Sequence, residues 1–442
     1  MEPNSGDPSR RDTSHARREA AQAVNRRDFL GRCGGAAAAG ITAPYVITSK
    51  ALGDATTPPA SDRIVMAGIG IGNMGTGDQN AFLGRREVQY VAVCDVRRKW
   101  REDAKARVDA RYGNGDCAAV VDFRDLLARD DIDAVHVATP DHWHAPITIA
   151  ACRSGKDVYL QKPETLTLRE GPLMIAAARR YGCVFSGGSQ RVLGDYRGIV
   201  DPVWAGEIGN VVSVDVSVGG PSQHCYLSGE PTPTDEIAWD LWLGPAPWQP
   251  YNPGRCSGAY STGGNTWRSY IDYSGGSLTD WGAHHFGGAI FAADLREEQP
   301  KTVTFHPAEG RAAAYVSLTY PGGQTLHHNR PQHLRPQEGP QVAHGNAIVI
   351  TGDGQPREPK AVPLYRNGEG SIYGDFLACV RSRERPFRDI ELAVNTMTAP
   401  HMIGIAYRLE RSLTWDRAAQ AFVDDEEANR LLDRARREPW MI

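Results

Sequence analysis

Two groups of residues in this sequence have the types and spacing to polarise and deprotonate a hydroxyl. Lys162, in Gln161-Lys162-Pro163, follows the apolar run Val158-Tyr159-Leu160, and the proline after it restricts the backbone. Its ammonium is thereby predicted at the carboxyl end of a strand, where open α/β sheets bind their ligands. Asp280 and His284 lie four residues apart behind the glycine turn Gly275-Gly276, on one face of a predicted helix. A carboxylate so placed can orient an imidazole that acts as a general base near neutral pH. The same spacing also fits a helix-start aspartate with an unconnected histidine one turn on, and the adjacent His285 points to a different face.

The elements that must position Lys162 are written in the first half of the chain. Ile64-Val65-Met66-Ala67-Gly68-Ile69 is a short apolar strand, and Gly70-Ile71-Gly72-Asn73-Met74-Gly75 follows it as GxGxxG. In such a turn the first glycine permits the tight bend, the second lets a pyrophosphate approach, and the third lets the helix pack on the strand. A helix is predicted over 76–83, its N-terminal amides facing the phosphates. A second strand over 88–94 ends at Asp95, 20 residues beyond Gly75, where an acid can accept bonds from the adenosine ribose hydroxyls. That favours NAD over NADP, while Arg97, Arg98 and Lys99 offer cations that can instead hold a 2′-phosphate.

Strand and helix periods go on alternating, with helices predicted over 96–111, 123–127 and 147–152 and strands over 134–137 and 158–160. The strand at 134–137 runs into Ala138-Thr139-Pro140-Asp141-His142-Trp143-His144, a proline-kinked loop predicted to lie over the cofactor. His142 reads as packing and His144 as a residue on the ligand side. Thr139, Pro140, His144 and Lys162 thus join Gly70, Gly72, Asn73, Met74, Gly75 and Asp95 as the predicted cofactor-binding set.

After Ser186-Gly187-Gly188 the pattern changes. A helix over 195–204 leads to strands predicted over 211–218, 301–305, 313–320 and 347–351, which read as a mixed open sheet in a second domain. Between them stand five of the ten tryptophans, Trp239, Trp242, Trp248, Trp267 and Trp281, with Tyr251, Tyr260, Tyr270 and Tyr273. One or two of these rings are expected to stack on a sugar and the rest to pack. His327, His328, His333 and His344 lie in a Gly/Pro/Gln-rich stretch without metal-ligand spacing, so they are read as solvated loop residues and no metal is assigned. The helices predicted over 373–380 and 390–413 are expected to cross the domain junction, and a surface helix is predicted over 431–440.

Composition sets the outer bounds. The 442 residues carry a net charge of -4 and no long basic block, which points to small ligands and away from nucleic acid. Residues 1–54 read as an export signal: Asn25-Arg26-Arg27-Asp28-Phe29-Leu30 resembles a twin-arginine motif, a weakly apolar stretch rich in Ala and Gly follows, and Ala51-Leu52-Gly53 fits a cleavage site. That stretch is too short and Gly-rich to span a bilayer. Eight cysteines without CxxC spacing argue against a disulfide framework, with Cys225 and Cys256 left as one possible pair. The expected division is a signal region over 1–54, a linker over 55–62, a Rossmann dinucleotide-binding domain over 63–187 and a substrate and oligomerisation domain over 188–442.

GxGxxG, Asp95, Thr139-Pro140, Gln161-Lys162-Pro163 and Asp280-xxx-His284, in this order, resemble the Gfo/Idh/MocA oxidoreductases over nearly the whole mature chain. The resemblance implies an N-terminal Rossmann NAD(P)-binding domain, a C-terminal α/β domain with an open mixed sheet, a homo-oligomer, and chemistry on CH-OH groups of sugars and polyols. It maps the family's lysine onto Lys162 and its paired aspartate and histidine onto Asp280 and His284. The implied mechanism has His284, oriented by Asp280, accept the hydroxyl proton while Lys162 bonds the oxygen and hydride leaves for NAD. Two residues depart from the family pattern: Gln161 stands where glutamate is usual, removing a negative neighbour of Lys162, and Gly287 stands where many relatives carry aspartate. Export through the twin-arginine machinery implies a periplasmic protein that retains its cofactor. Transient oxidation by a glycosidase or lyase, or sugar binding without turnover, are the alternatives.

Overall fold

The computed structural model describes residues 58–189, 191–258, 266–336, 338–367 and 371–442. The signal region predicted over 1–54 lies outside them, as does Tyr260.

Alternating apolar runs and amphipathic segments build the first sheet. Its strands are β1 (Ile64–Ile69), β2 (Val88–Cys94), β3 (Ala118–Val120), β4 (Ala134–Val137), β5 (Asp157–Leu160) and β6 (Phe185–Gly187), in the order β3-β2-β1-β4-β5-β6. All pairings are parallel. Helices α1 (Asn73–Leu83), α2 (Arg98–Tyr112), α3 (Phe123–Leu127), α4 (His144–Arg153) and α5 (Glu170–Tyr181) make the crossovers. Because β2 and β4 flank β1 on opposite sides, strand order reverses there and a crevice opens at the carboxyl ends. Residues buried on both faces, such as Val135, Val137, Val158 and Leu160, are what a sheet covered on both sides requires. Helix α1 starts at Asn73, inside the glycine motif and three residues before its predicted start. The edge strand β3, short and half-exposed, is not among the elements predicted from the sequence, although it lies in the apolar run Cys117-Ala118-Ala119-Val120-Val121.

The second sheet has eight strands: β7 (Val211–Val216), β8 (Thr302–His306), β9 (Tyr315–Thr319), β10 (Thr325–His328), β11 (Gln341–His344), β12 (Ile348–Gly352), β13 (Leu413–Asp416) and β14 (Ala421–Phe422). Their order is β11-β12-β7-β10-β9-β8-β13-β14, and the parallel β7–β10 pair among antiparallel neighbours makes the sheet mixed. Helices α6 (Arg197–Trp204), α7 (Ser277–Asp280), α8 (Gly282–Ala292), α9 (Ile372–Ser382) and α10 (Ile390–Leu409) complete the frame.

Of the two helices expected to cross the domain junction, α10 ties the two sheets together and α9 packs on the first. Phe376 and Leu377 of α9 pack with Phe82 and Tyr159 of the first domain. Ile390, Ala393 and Val394 of α10 join the first domain's core, and Met402, Ile403 and Ala406 join the second's. Each fully buried side chain of this size contributes about 1.5–3 kcal/mol, so one helix anchors both halves.

Two expectations are corrected, and a cysteine pairing that the sequence left open is decided. His327 and His328 are not solvated loop residues: they lie on β10, between β7 and β9, with 8% and 1% exposure. Ser317 and Thr325 bond the His327 ring, Tyr407 and the Val218 carbonyl bond His328, and burial pushes both imidazoles down to about 4. Residues 431–440 form turns instead of a helix, because Arg436 and Arg437 bond Glu170 and Asp240 on other elements and Trp440 is buried against Trp143. Cys225 and Cys256 are both free thiols. Among the described residues no helix is long and apolar enough to cross a membrane, and no group of three His, Cys, Asp or Glu side chains is placed to hold a metal.

Candidate active site

The glycine turn opens a cavity of about 400 Å³ at the reversal point. Gly70 has φ +80°, which a residue with a side chain rarely adopts, and a Cβ there would press on the Thr139 amide at 2.7 Å. A Cβ on Gly72 would meet nothing within 4 Å, so the backbone at this position is open to a bulky group. That is the approach a pyrophosphate needs, beside the N-terminus of α1. Gly75 packs under the turn, where a Cβ would lie 2.0 Å from the Gly70 carbonyl oxygen. Gly75→Ala is therefore expected to displace the turn, at a cost of about 1–3 kcal/mol for such overpacking, and to abolish dinucleotide binding. Fluorescence titration with NADH checks this.

Asp95 closes the glycine-turn end of the cavity. Its carboxylate accepts the amides of Ile71 and Arg97, each at 2.8 Å, and so fixes the turn to the second strand. Burial pushes its carboxyl up, against the two amides that favour the charged form. Arg97 donates to the Cys256 carbonyl and thiol, at 3.0 and 2.7 Å, and Lys99 pairs with Asp103 at 2.7 Å. Of the three cations predicted as alternative holders of a 2′-phosphate, Arg97 is thus tied to Cys256 in the cavity wall and Lys99 is paired on the surface. The glycine turn, the open space at Gly72 and Asp95 together fit NAD.

At the other end of the cavity Lys162 and Asp280 meet across 118 residues of sequence. The Lys162 ammonium donates to Asp280 Oδ1 at 2.7 Å, and both side chains are nearly excluded from water. Arg268 reaches the same oxygen at 3.3 Å. The negative neighbour that Gln161 does not supply is thus Asp280. Gln161 turns away and donates its amide to both oxygens of Asp78 on α1, at 3.0 Å each, while Tyr373 of α9 donates to Asp78 at 2.8 Å. Burial pushes the Asp78 carboxyl up to about 6, although both bonds favour its charged form.

The dyad read from the sequence is rearranged. Asp280 ends α7 and His284 lies in α8, with Trp281 between the two helices, and among the described residues no hydrogen bond joins the carboxylate to the imidazole. Asp280 is held by the cations, whose charge outcompetes a neutral ring, and the His284 Nδ1 meets the Ser189 hydroxyl at 3.2 Å. Burial pushes His284 well below the usual histidine range, and Lys162, Arg191 and Arg388 add to the effect. It is not among the residues that line the cavity. Gly287 leaves room beside it: a Cβ there would lie 3.5 Å from the Arg388 guanidinium, so a longer acid would face Arg388. Here Arg388 pairs instead with Glu164, at 2.7 Å and fully buried.

The other predicted residues divide in two. Gly70, Gly72, Asn73, Met74, Asp95, Thr139, Pro140 and Lys162 line the cavity. Gly75 supports the turn from below, and His144 lies behind the loop with its ring nitrogens at the Pro163 and Thr139 carbonyls, 2.6 and 2.9 Å away. His144 therefore rivets the Thr139 loop to the Lys162 loop. Of the aromatic residues, Trp242 and Trp267 line the cavity, Trp239, Tyr270 and Tyr273 pack around them, and Trp248 is exposed.

Arg268 and Asp141 also line the cavity, and sequence reasoning gave neither a role. Asp141 stands directly after Thr139-Pro140 at the end of β4, and that position was the available signal. Its Oδ2 is buried without a hydrogen-bond partner.

The model of the Gfo/Idh/MocA oxidoreductase family's NAD-binding Rossmann fold matches residues 63–189, and that of the family's C-terminal alpha/beta domain matches 222–319 and 359–442. Among curated relatives, a glycosyl hydrolase family 109 protein of Shewanella baltica is 30% identical over 175 residues, 36% of this chain and 37% of that protein. One of Shewanella pealeana is 31% identical over the same length. The chain thus spans little more than a third of the curated relatives it matches. Solved structures similar to it include the WlbA dehydrogenase of Bordetella pertussis in complex with NADH and UDP-GlcNAcA, at 17% identity and a TM-score of 0.54, covering 80% of this chain and 99% of that one. The aldose-aldose oxidoreductase of Caulobacter crescentus complexed with glycerol is 18% identical, with a TM-score of 0.51 and coverage of 80% and 100%. These are likenesses of fold.

Proposed function

The chain belongs to the Gfo/Idh/MocA oxidoreductases, whose Rossmann domain binds NAD, and from that premise we propose that it oxidises a secondary alcohol of a sugar, polyol or glycoside. The observation that carries this reading is the buried Lys162–Asp280 ion pair in the cavity that the glycine turn opens. Bound there, NAD supplies a two-electron acceptor at its nicotinamide. Lys162 bonds the substrate oxygen and stabilises the negative charge that develops on it, and Asp280 with Arg268 fixes the ammonium in that position. Trp242 and Trp267 offer apolar faces to the sugar ring.

The test is to purify the chain, identify any released dinucleotide by mass spectrometry, and incubate the protein with NAD and mixed sugars, polyols and glycosides. Formation of NADH with a matching keto product is the expected result. No change in any carbohydrate with cofactor bound would leave sugar binding without turnover.

A second reading, glycoside cleavage through transient oxidation, is favoured by the family 109 glycosyl hydrolase relatives. Released aglycone with no net NADH separates it from the first. For Asn25 to Leu30 we propose export to the periplasm by the twin-arginine pathway. Exchange of Arg26 and Arg27 for lysine should hold the protein in the cytoplasm, and unchanged export would remove this proposal.

A further inference from the structure

We propose that Asp141 is the proton acceptor of this site, its Oδ2 taking the hydroxyl proton as the carbinol is oxidised and returning it in the reverse direction. This rests on the reading of the cavity as a site of alcohol oxidation.

The side chains that line the cavity narrow the choice. Among the described residues no histidine lines it, and its carboxyl groups are Asp95, Asp122, Asp141 and Asp280. Asp95 accepts two backbone amides at the glycine-turn end. Asp122 caps α3 and pairs with Arg124. Asp280 is held by Lys162 and Arg268 through Oδ1. Asp141 has 1% exposure, and its Oδ2 is buried without a hydrogen-bond partner. A polar atom in that state lacks a bond worth about 1–3 kcal/mol, and Asp141 is the cavity carboxyl that carries such an atom.

The surroundings suit a group that exchanges a proton. Asp141 opens the turn after Thr139-Pro140, on the loop that His144 pins to the Lys162 loop. The charged groups that face it are Asp280, Arg268, Lys162 and Arg434, with the Ser274 hydroxyl bonding it. Burial, and next the Asp280 charge, push the Asp141 carboxyl up to about 7, while Ser274, Arg268 and Lys162 pull the other way. His284 behaves oppositely: burial and a ring of cations make its imidazole a poor proton acceptor.

In the step itself the carbinol C–H and O–H bonds break and a C=O bond forms. The carbon is oxidised, and its hydrogen and two electrons reduce NAD to NADH. The hydroxyl proton ends on Asp141 and leaves to solvent.

The experiment compares wild type, Asp141→Asn and Asp141→Glu, each as the NAD-loaded full chain. With the carbohydrate that converts in the mixed screen, Asp141→Asn should lose about 10²- to 10⁴-fold in oxidation rate and lose the rise in rate through pH 7, with NADH affinity unchanged. Asp141→Glu should restore part of both. Infrared difference spectra without carbohydrate, recorded with Asp78→Asn in both proteins because Asp78 is itself raised to about 6, should show a protonated carboxyl band titrating near neutral pH when Asp141 is present and absent from Asp141→Asn. Wild-type rates and an unchanged pH profile in Asp141→Asn would overturn the assignment, as would the same infrared band in both proteins. If wild type converts no carbohydrate, the functional reading falls, and the infrared titration alone decides whether Asp141 holds the exchangeable proton.

Discussion

Lys162→Met is expected to lower kcat/KM for the alcohol by about 10²- to 10³-fold, the loss seen when one preorganised donor to a developing oxyanion is removed. Methionine keeps much of the length and bulk of the side chain while deleting the ammonium that lies 2.7 Å from Asp280. The loss has two sources. The substrate oxygen is left without its cation, and Asp141, whose proton affinity the Asp280 charge already raises, faces that carboxylate with one positive charge fewer. Arg268 remains on Asp280, so the carboxylate is not stranded and the fold should survive. NADH binding should persist, since the glycine turn and Asp95 lie at the other end of the cavity. Steady-state kinetics beside a dinucleotide titration measure both, and an unchanged kcat/KM would take Lys162 out of the chemistry.

Arg388→Met should have the largest effect on stability. The Arg388–Glu164 pair is closed to solvent, with side-chain exposures of 6% and 0%, and the second oxygen of Glu164 already has no hydrogen-bond partner. Removing the guanidinium strands a carboxylate in the interior, which typically costs about 3–5 kcal/mol. The pair lies under the Lys162 loop, since Glu164 is two residues past Lys162, and the Gly187 amide at the end of β6 donates to the Arg388 carbonyl at 3.0 Å. Equilibrium urea unfolding should therefore show the loss, and adding Glu164→Gln should recover most of it. A loss under about 1 kcal/mol, the range of an exposed pair, would show that the charges are not desolvated as the structure has them.

What could be read from the sequence was what short spacing dictates. Gly70 to Gly75, Asp95 and Lys162 each stand at a strand end, and one apolar run followed by a turn is enough to place them. The partners of those residues depend on the return of the chain. Asp280 meets Lys162 only because α7 folds back on the first sheet, and no local pattern encodes that contact. The four-residue spacing of Asp280 and His284 gave a shared face but could not say which neighbour would take the carboxylate. His327 and His328 were misplaced for a related reason. Their stretch is polar because the His327 ring bonds Ser317 of β9 and Thr325 two residues back on β10 itself, so polarity there marks a hydrogen-bonded sheet face and not a loop.

The bond from Gln161 to Asp78 limits the order in which this chain can change. A glutamate at 161, the residue usual in the family, would stand against both oxygens of a carboxyl that is already buried and already reluctant to ionise. Glutamate at 161 is thus disfavoured while Asp78 is charged, and is accommodated once position 78 is neutral. Asp78→Asn taken first still offers Gln161 and Tyr373 an oxygen to bond, and glutamate at 161 can then accept from the new amide. Two neighbouring sites that look independent in the sequence have one favoured mutational route between their alternative states.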